Sequence, residues 1–177
     1  MNFQSLLGER KQAIVQAWFR NIIETYPKDS RKYIGRQNDQ FGNPVGHTLN
    51  KDIEGIFNEL LKDPDYEKVS AYLENIIKVR AVQDFDAAEA VSFVFMLKSS
   101  VREILKKELK DQKTLAEFID FQDEIDRLAL SAFKIYMASR ERLYELRTRE
   151  VTRRTERLLQ RVGAFYTPPE QQSNDDT

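Results

Sequence analysis

DAAEAVSFVFMLK, residues 86–98, begins with an aspartate and carries a glutamate three positions later, the spacing of a helix capping box. Val91, Phe93, Val94, Phe95 and Leu97 then follow, so the helix this opens, running to about Leu109, is apolar almost all round. A helix apolar on every side belongs at the centre of a bundle. Upstream, Val69, Tyr72, Leu73, Ile76 and Val79 predict a helix over about Tyr66–Val82 with one inward face. Before it, Asn43-Pro44 is a start signal, an asparagine cap followed by proline at the first helical position. Val45, Leu49, Ile53, Ile56 and Leu60 trace the face of the helix that begins there, and Asp63-Pro64-Asp65 ends it.

Residues 27–43 hold two glycines and no periodic stretch, which predicts a long loop. The N-terminal helix predicted over about Ser5–Tyr26 (Leu7, Ile14, Trp18, Ile22) stops at Pro27, which lacks the amide donor. Downstream, the longest helix is predicted from about Leu115 to Val162, with Phe118, Phe121, Ile125, Leu128, Ala132, Ile135 and Tyr136 facing the core. Gly163 has the position of a helix-ending C′ residue, and residues 163–177 read as a polar, disordered tail. The fold class is therefore all-α: a single-domain bundle of about five helices over residues 1–162, with residues 140–162 as a projecting helix.

Composition narrows the chemistry. The 177 residues include no cysteine and one histidine, His47, which excludes thiolate metal sites, a cysteine nucleophile and a multi-histidine site within one chain. The acidic group Glu117, Asp120, Asp123 and Glu124 lacks the Glu-x-x-His pairs of di-metal carboxylate bundles, and acidic residues are favoured in first helical turns anyway. No nucleophile–base pair or phosphate-binding glycine loop is present. The expectation is a protein that is not an enzyme, with no catalytic residue, no metal and no cofactor. The 28 basic and 29 acidic residues leave a net charge of −1, which does not predict a polyanion partner. The richest apolar run, Ala90–Leu97, is too short for the ~20 residues of a membrane span, and the N-terminus lacks a signal-peptide pattern, so a cytoplasmic location without membrane insertion is expected.

Two groups of residues are candidate binding sites. Arg80, Asp84 and His47 could contribute to a pocket; equally, Arg80 and Asp84 have the spacing of an i, i+4 pair, and His47 that of a surface or loop-packing residue. The second group lies between Arg140 and Arg161, where eight arginines and four glutamates give a local net of +4 without a lysine. Met137, Tyr144, Val151 and Leu158 stand seven apart, and Arg140, Arg147, Arg154 and Arg161 follow that stripe at +3. A coiled-coil seam needs two apolar positions per heptad, and here the +4 positions are Glu141, Thr148, Thr155 and Val162. A face of this kind suits a protein partner, through forked arginine–carboxylate contacts, or a solvated helix edge. The interleaved glutamates and the lack of a recognised motif argue against nucleic acid.

FGNPVGHTL (Phe41–Leu49), VRAVQDFDAAEAVSFVFMLK (Val79–Lys98) and RERLYELRTREVTRRTERLL (Arg140–Leu159) together resemble the RsbRD N-terminal domain family, named for co-antagonist proteins of the bacterial stressosome. The resemblance spans about residues 5–162. It implies an all-helical input module that in such families precedes a STAS domain or a histidine-kinase core, and related co-antagonist modules are globin-like, haem-free and dimeric. The present sequence has neither a STAS fold nor kinase motifs up to Thr177, so it resembles a stand-alone member. Such members are found in anaerobic bacteria, sometimes beside membrane redox complexes. The expected function is a non-enzymatic signalling or adaptor module for stress-response regulation, acting on a protein partner, with a homodimer among the partners implied. The alternatives are an assembly or accessory factor for an anaerobic redox complex and, less favoured, a nucleic-acid-binding protein.

Overall fold

The computed structural model describes residues 2–35, 42–83 and 85–165, with side chains through residue 163. Among these residues it is all-helical: α1 (Phe3–Glu9), α2 (Lys11–Ile23), α3 (Lys28–Ile34), α4 (Pro44–Leu60), α5 (Tyr66–Val82), α6 (Ala87–Ile104), a 3-10 turn (Glu108–Lys110) and α7 (Gln112–Phe165). The chain divides into two compact units, one up to Ser139 and one from Arg140.

In the first unit, contacts of α2 with α6, α6 with α5, α5 with α4 and α4 with α2 close a ring of four helices. Trp18 and Phe93 lie in it, both fully buried; the indole N–H donates to the Phe93 carbonyl at 2.6 Å and the rings stack with centroids 6.4 Å apart. α1 packs on α2, and α3 on α4. The first part of α7 adds Phe118 and Phe121, whose rings meet Phe3, and further along it the Tyr136 hydroxyl donates to the Phe85 carbonyl at 2.9 Å.

Local signals account for several helix starts. The Asn43 side chain accepts the Gly46 amide at 2.9 Å and donates to the Ile34 carbonyl at 2.8 Å, tying the end of α3 to the start of α4. A Cβ on Gly46 would come within 2.1 Å of that same carbonyl, so the Asn-Pro-Val-Gly run is a tight joint between two helices. The Asp86–Glu89 capping box is present with both reciprocal bonds, 2.8 and 3.0 Å. Asp111 starts α7 by accepting from both the amide and the hydroxyl of Thr114.

The bundle has seven α-helices among the described residues, where the sequence predicts about five. The N-terminal helix is broken at Arg10, yet backbone bonds of Arg10 to Leu6 and Ile14 to Arg10 carry the i, i−4 pattern across the break, so periodicity does not register it. The predicted loop 27–43 contains α3, whose two turns bury only Ile34; Arg31 fastens it by donating to the Tyr26 and Glu24 carbonyls at 2.7 and 2.6 Å. Residues 36–41 lie outside the described residues. α6 ends at Ile104, short of Leu109, and is not buried all round: Phe95 is 46% exposed. α7 runs through Gly163, which stays out of the left-handed region and so does not act as C′. Residues 166–177 of the expected tail lie outside the described residues.

Candidate functional site

A cleft of about 190 Å³ opens between α4 and α5. From α4 it takes Pro44, Val45, Thr48, Leu49 and Asp52; from α5, Asn75, Ile76 and Val79; Tyr26 completes the lining. Helical spacing explains the selection. Residues 45, 49 and 52 on α4 and 76 and 79 on α5 recur at three- and four-residue steps, so each helix turns one stripe toward the other.

Asp52 is the anomaly on that stripe. It is 3% exposed. One carboxylate oxygen accepts from the Asn75 side-chain amide at 3.4 Å, and Oδ2 has no hydrogen-bond partner. Burial pushes its pKa above the ordinary carboxylate value, an effect only partly offset by the Asn75 bond and the charge of Lys51. A buried carboxylate oxygen without a donor is costly, and such groups concentrate at functional sites.

Tyr26 joins the cleft to a second buried charge. The Arg80 guanidinium is fully buried, with its Cζ 5.2 Å from the Tyr26 ring centroid, 4.4 Å from that of Phe85 and 5.8 Å from that of Phe93. Nη2 donates to the Thr25 hydroxyl at 3.0 Å and to the Glu89 carbonyl at 3.1 Å, while Nε and Nη1 have no acceptor. Burial holds the guanidinium below its usual basicity, and it raises the Tyr26 phenol, which the Arg80 charge in turn pulls back down.

Of the residues singled out in sequence, Arg80 sits behind the cleft and touches its wall through Tyr26. His47 is half-buried on α4 and does not line it. Asp84 lies outside the described residues. Asp52, which sequence reasoning passed over, carried an available signal: a carboxylate three residues after Leu49, on the inward face. In the second unit Tyr144, Val151 and Leu158 are all more than half exposed. Arg140 donates to the Tyr144 hydroxyl at 3.1 Å and stands 5.2 Å from its ring, and Arg154 pairs with Glu150 at 2.8 Å. Arg147 and Arg161 are also exposed.

Asp52→Asn is expected to raise stability by about 1–3 kcal/mol at pH 7 and to leave it unchanged near pH 3. Because the folded-state value lies above the ordinary 3.8, the folded protein binds this proton more tightly than the unfolded chain. Wild-type stability therefore falls as pH rises from the ordinary value through the raised one, and the amide removes that loss. Denaturant titrations of both proteins at the two pH values read the difference; equal stability at pH 7 would show that the carboxylate is not penalised.

Ring, cleft and long terminal helix define an all-α helical-bundle domain. The chain belongs to the family described as the RsbT co-antagonist protein rsbRD N-terminal domain, which matches residues 12–151. The match takes in both stretches that bound the cleft and the first part of the arginine-rich segment. No curated protein and no solved structure matches the chain. Among the described residues, no helix is long and apolar enough to cross a membrane.

Proposed function

We propose that this chain is a cytoplasmic, non-enzymatic regulatory module of bacterial stress signalling that acts through protein contacts, with residues 140–161 as the contact surface. Family membership supports the regulatory role. The observation that carries the contact surface is the exposed stripe of Tyr144, Val151 and Leu158, each with an arginine three residues on. Arginine is enriched at protein interfaces and lysine is depleted, and this segment holds eight arginines and no lysine.

Replacing Tyr144, Val151 and Leu158 together by serine is expected to weaken self-association in sedimentation, or capture of a partner, while the first unit stays folded by circular dichroism. Arg147→Lys with Arg154→Lys is expected to weaken it too, because lysine keeps the charge and loses the planar fork. Truncation after Ala138 should abolish it. Tight DNA or RNA binding with a steep salt dependence that survives the serine changes would overturn the reading.

A further inference from the structure

Four arginines form one row along the terminal part of α7. Arg140, Arg147, Arg154 and Arg161 each stand three positions after an apolar residue of the seven-residue series, so on the helix they line one flank of the Tyr144, Val151 and Leu158 stripe. The other flank, four positions after, holds Glu141, Thr148, Thr155 and Val162. None of the segment's glutamates stands in the arginine row. Arg154 pairs with Glu150 on its own helix at 2.8 Å and Arg140 lies against Tyr144, while Arg147 and Arg161 meet no carboxylate among the described residues.

An apolar stripe of seven-residue period fits a second helix, and the charges beside it decide which helix that is. A second copy of this chain matches poorly. Laid parallel, it sets Thr152 against Arg147 and Leu159 against Arg154, and only Arg140 finds an acid, Glu145. Laid antiparallel, it sets the arginine row against itself. In either direction two segments of local net +4 come together, and like charges across an interface count against the pairing. We infer that residues 140–161 dock an acidic amphipathic helix of another protein, one with large aliphatic residues on its contact face and a row of Asp or Glu opposite Arg147 and Arg154. The aliphatic residues fill the room that Thr148 and Thr155 leave beside the stripe, and the carboxylates accept forked guanidinium bonds. Tyr144 to Leu158 gives such a helix about 21 Å of contact length. The inference rests on the reading of this segment as the contact surface and names the class of partner.

The test uses a labelled peptide of about four heptads with leucine at both apolar positions and glutamate on both flanks, titrated with the full chain by fluorescence anisotropy. The control peptide carries lysine on the flanks. At low salt the glutamate peptide is expected to bind at least about 10-fold more tightly than the lysine peptide. Arg147→Glu with Arg154→Glu should reverse that order. Arg142→Glu with Arg153→Glu makes the same change of net charge at exposed positions on the far side of the helix, and should preserve it. Equal affinity for the two peptides, or reversal in the Arg142 and Arg153 variant as well, would overturn the assignment. Binding to phosphatidylglycerol vesicles without binding of the glutamate peptide would do the same. Sedimentation separates this from failure of the contact-surface reading. A dimer that the serine changes at Tyr144, Val151 and Leu158 abolish overturns the acidic partner and leaves the contact surface standing; a monomer that binds neither peptide overturns both.

Discussion

Phe93→Ala is expected to lower the unfolding free energy by about 3–5 kcal/mol, and Phe95→Ala, two residues away on the same helix, by less than about 1 kcal/mol. The contrast follows from where one helix puts two identical side chains. Phe93 is fully buried, stacked on Trp18 and within reach of Arg80, so removing its ring opens a cavity among groups that cannot collapse into it. Phe95 points about 200° further round the helix axis. It is nearly half exposed and its ring faces the Lys98 ammonium at 5.6 Å, a surface cation–π contact. Denaturant unfolding of the two variants measures both losses. Equal effects would show that α6 does not present one side to the ring of helices.

That contrast also marks how far a sequence reading reaches. The residues of α6 are apolar on every side, and composition alone predicts burial on every side; which of them meets solvent depends on where α2, α5 and α7 lie. Caps were legible because they are local: Asn43-Pro44 and Asp86 with Glu89 satisfy orphan helix amides within four residues, and α4 and α6 start where those residues place them. α5 was legible end to end, since Asp65 caps it and its apolar spacing is unbroken. α3 was not, because two turns with one buried residue leave no period to read, and what fastens it is a pair of bonds from the Arg31 side chain to the Tyr26 and Glu24 carbonyls just after α2.

The site was legible to a lesser degree, for a different reason. Arg80 drew notice in sequence as one of two charges four apart, but its burial among Tyr26, Phe85 and Phe93 comes from three separate segments. Asp52 stands in register with Leu49, Ile53 and Ile56, and a carboxylate at a core-facing position is a signal that helical spacing alone can give. What spacing cannot give is the partner. Only α5 packing on α4 leaves Oδ2 without a donor and places Ile76 and Val79 opposite it.

Arg80→Ala is expected to cost about 2–5 kcal/mol, the range of a large buried cavity, and Arg80→Met about 1 kcal/mol or less. Among the described residues no carboxylate pairs with this guanidinium, so its burial is compensated by two hydrogen bonds and three aromatic faces. Alanine removes all five interactions, opens a cavity between the rings and leaves the Thr25 hydroxyl and Glu89 carbonyl short of a donor. Methionine forgoes the same bonds but fills most of the volume, keeps favourable contact with the rings and relieves the chain of burying a charge with two unsatisfied N–H groups. Lysine should resemble alanine more than methionine, since it buries a point charge that cannot spread across three rings. Thermal and denaturant unfolding of the three variants rank them directly. A methionine variant as unstable as alanine would mean that the charge itself, and not the packing of its planar group against Tyr26 and its neighbours, holds this wall of the cleft in place.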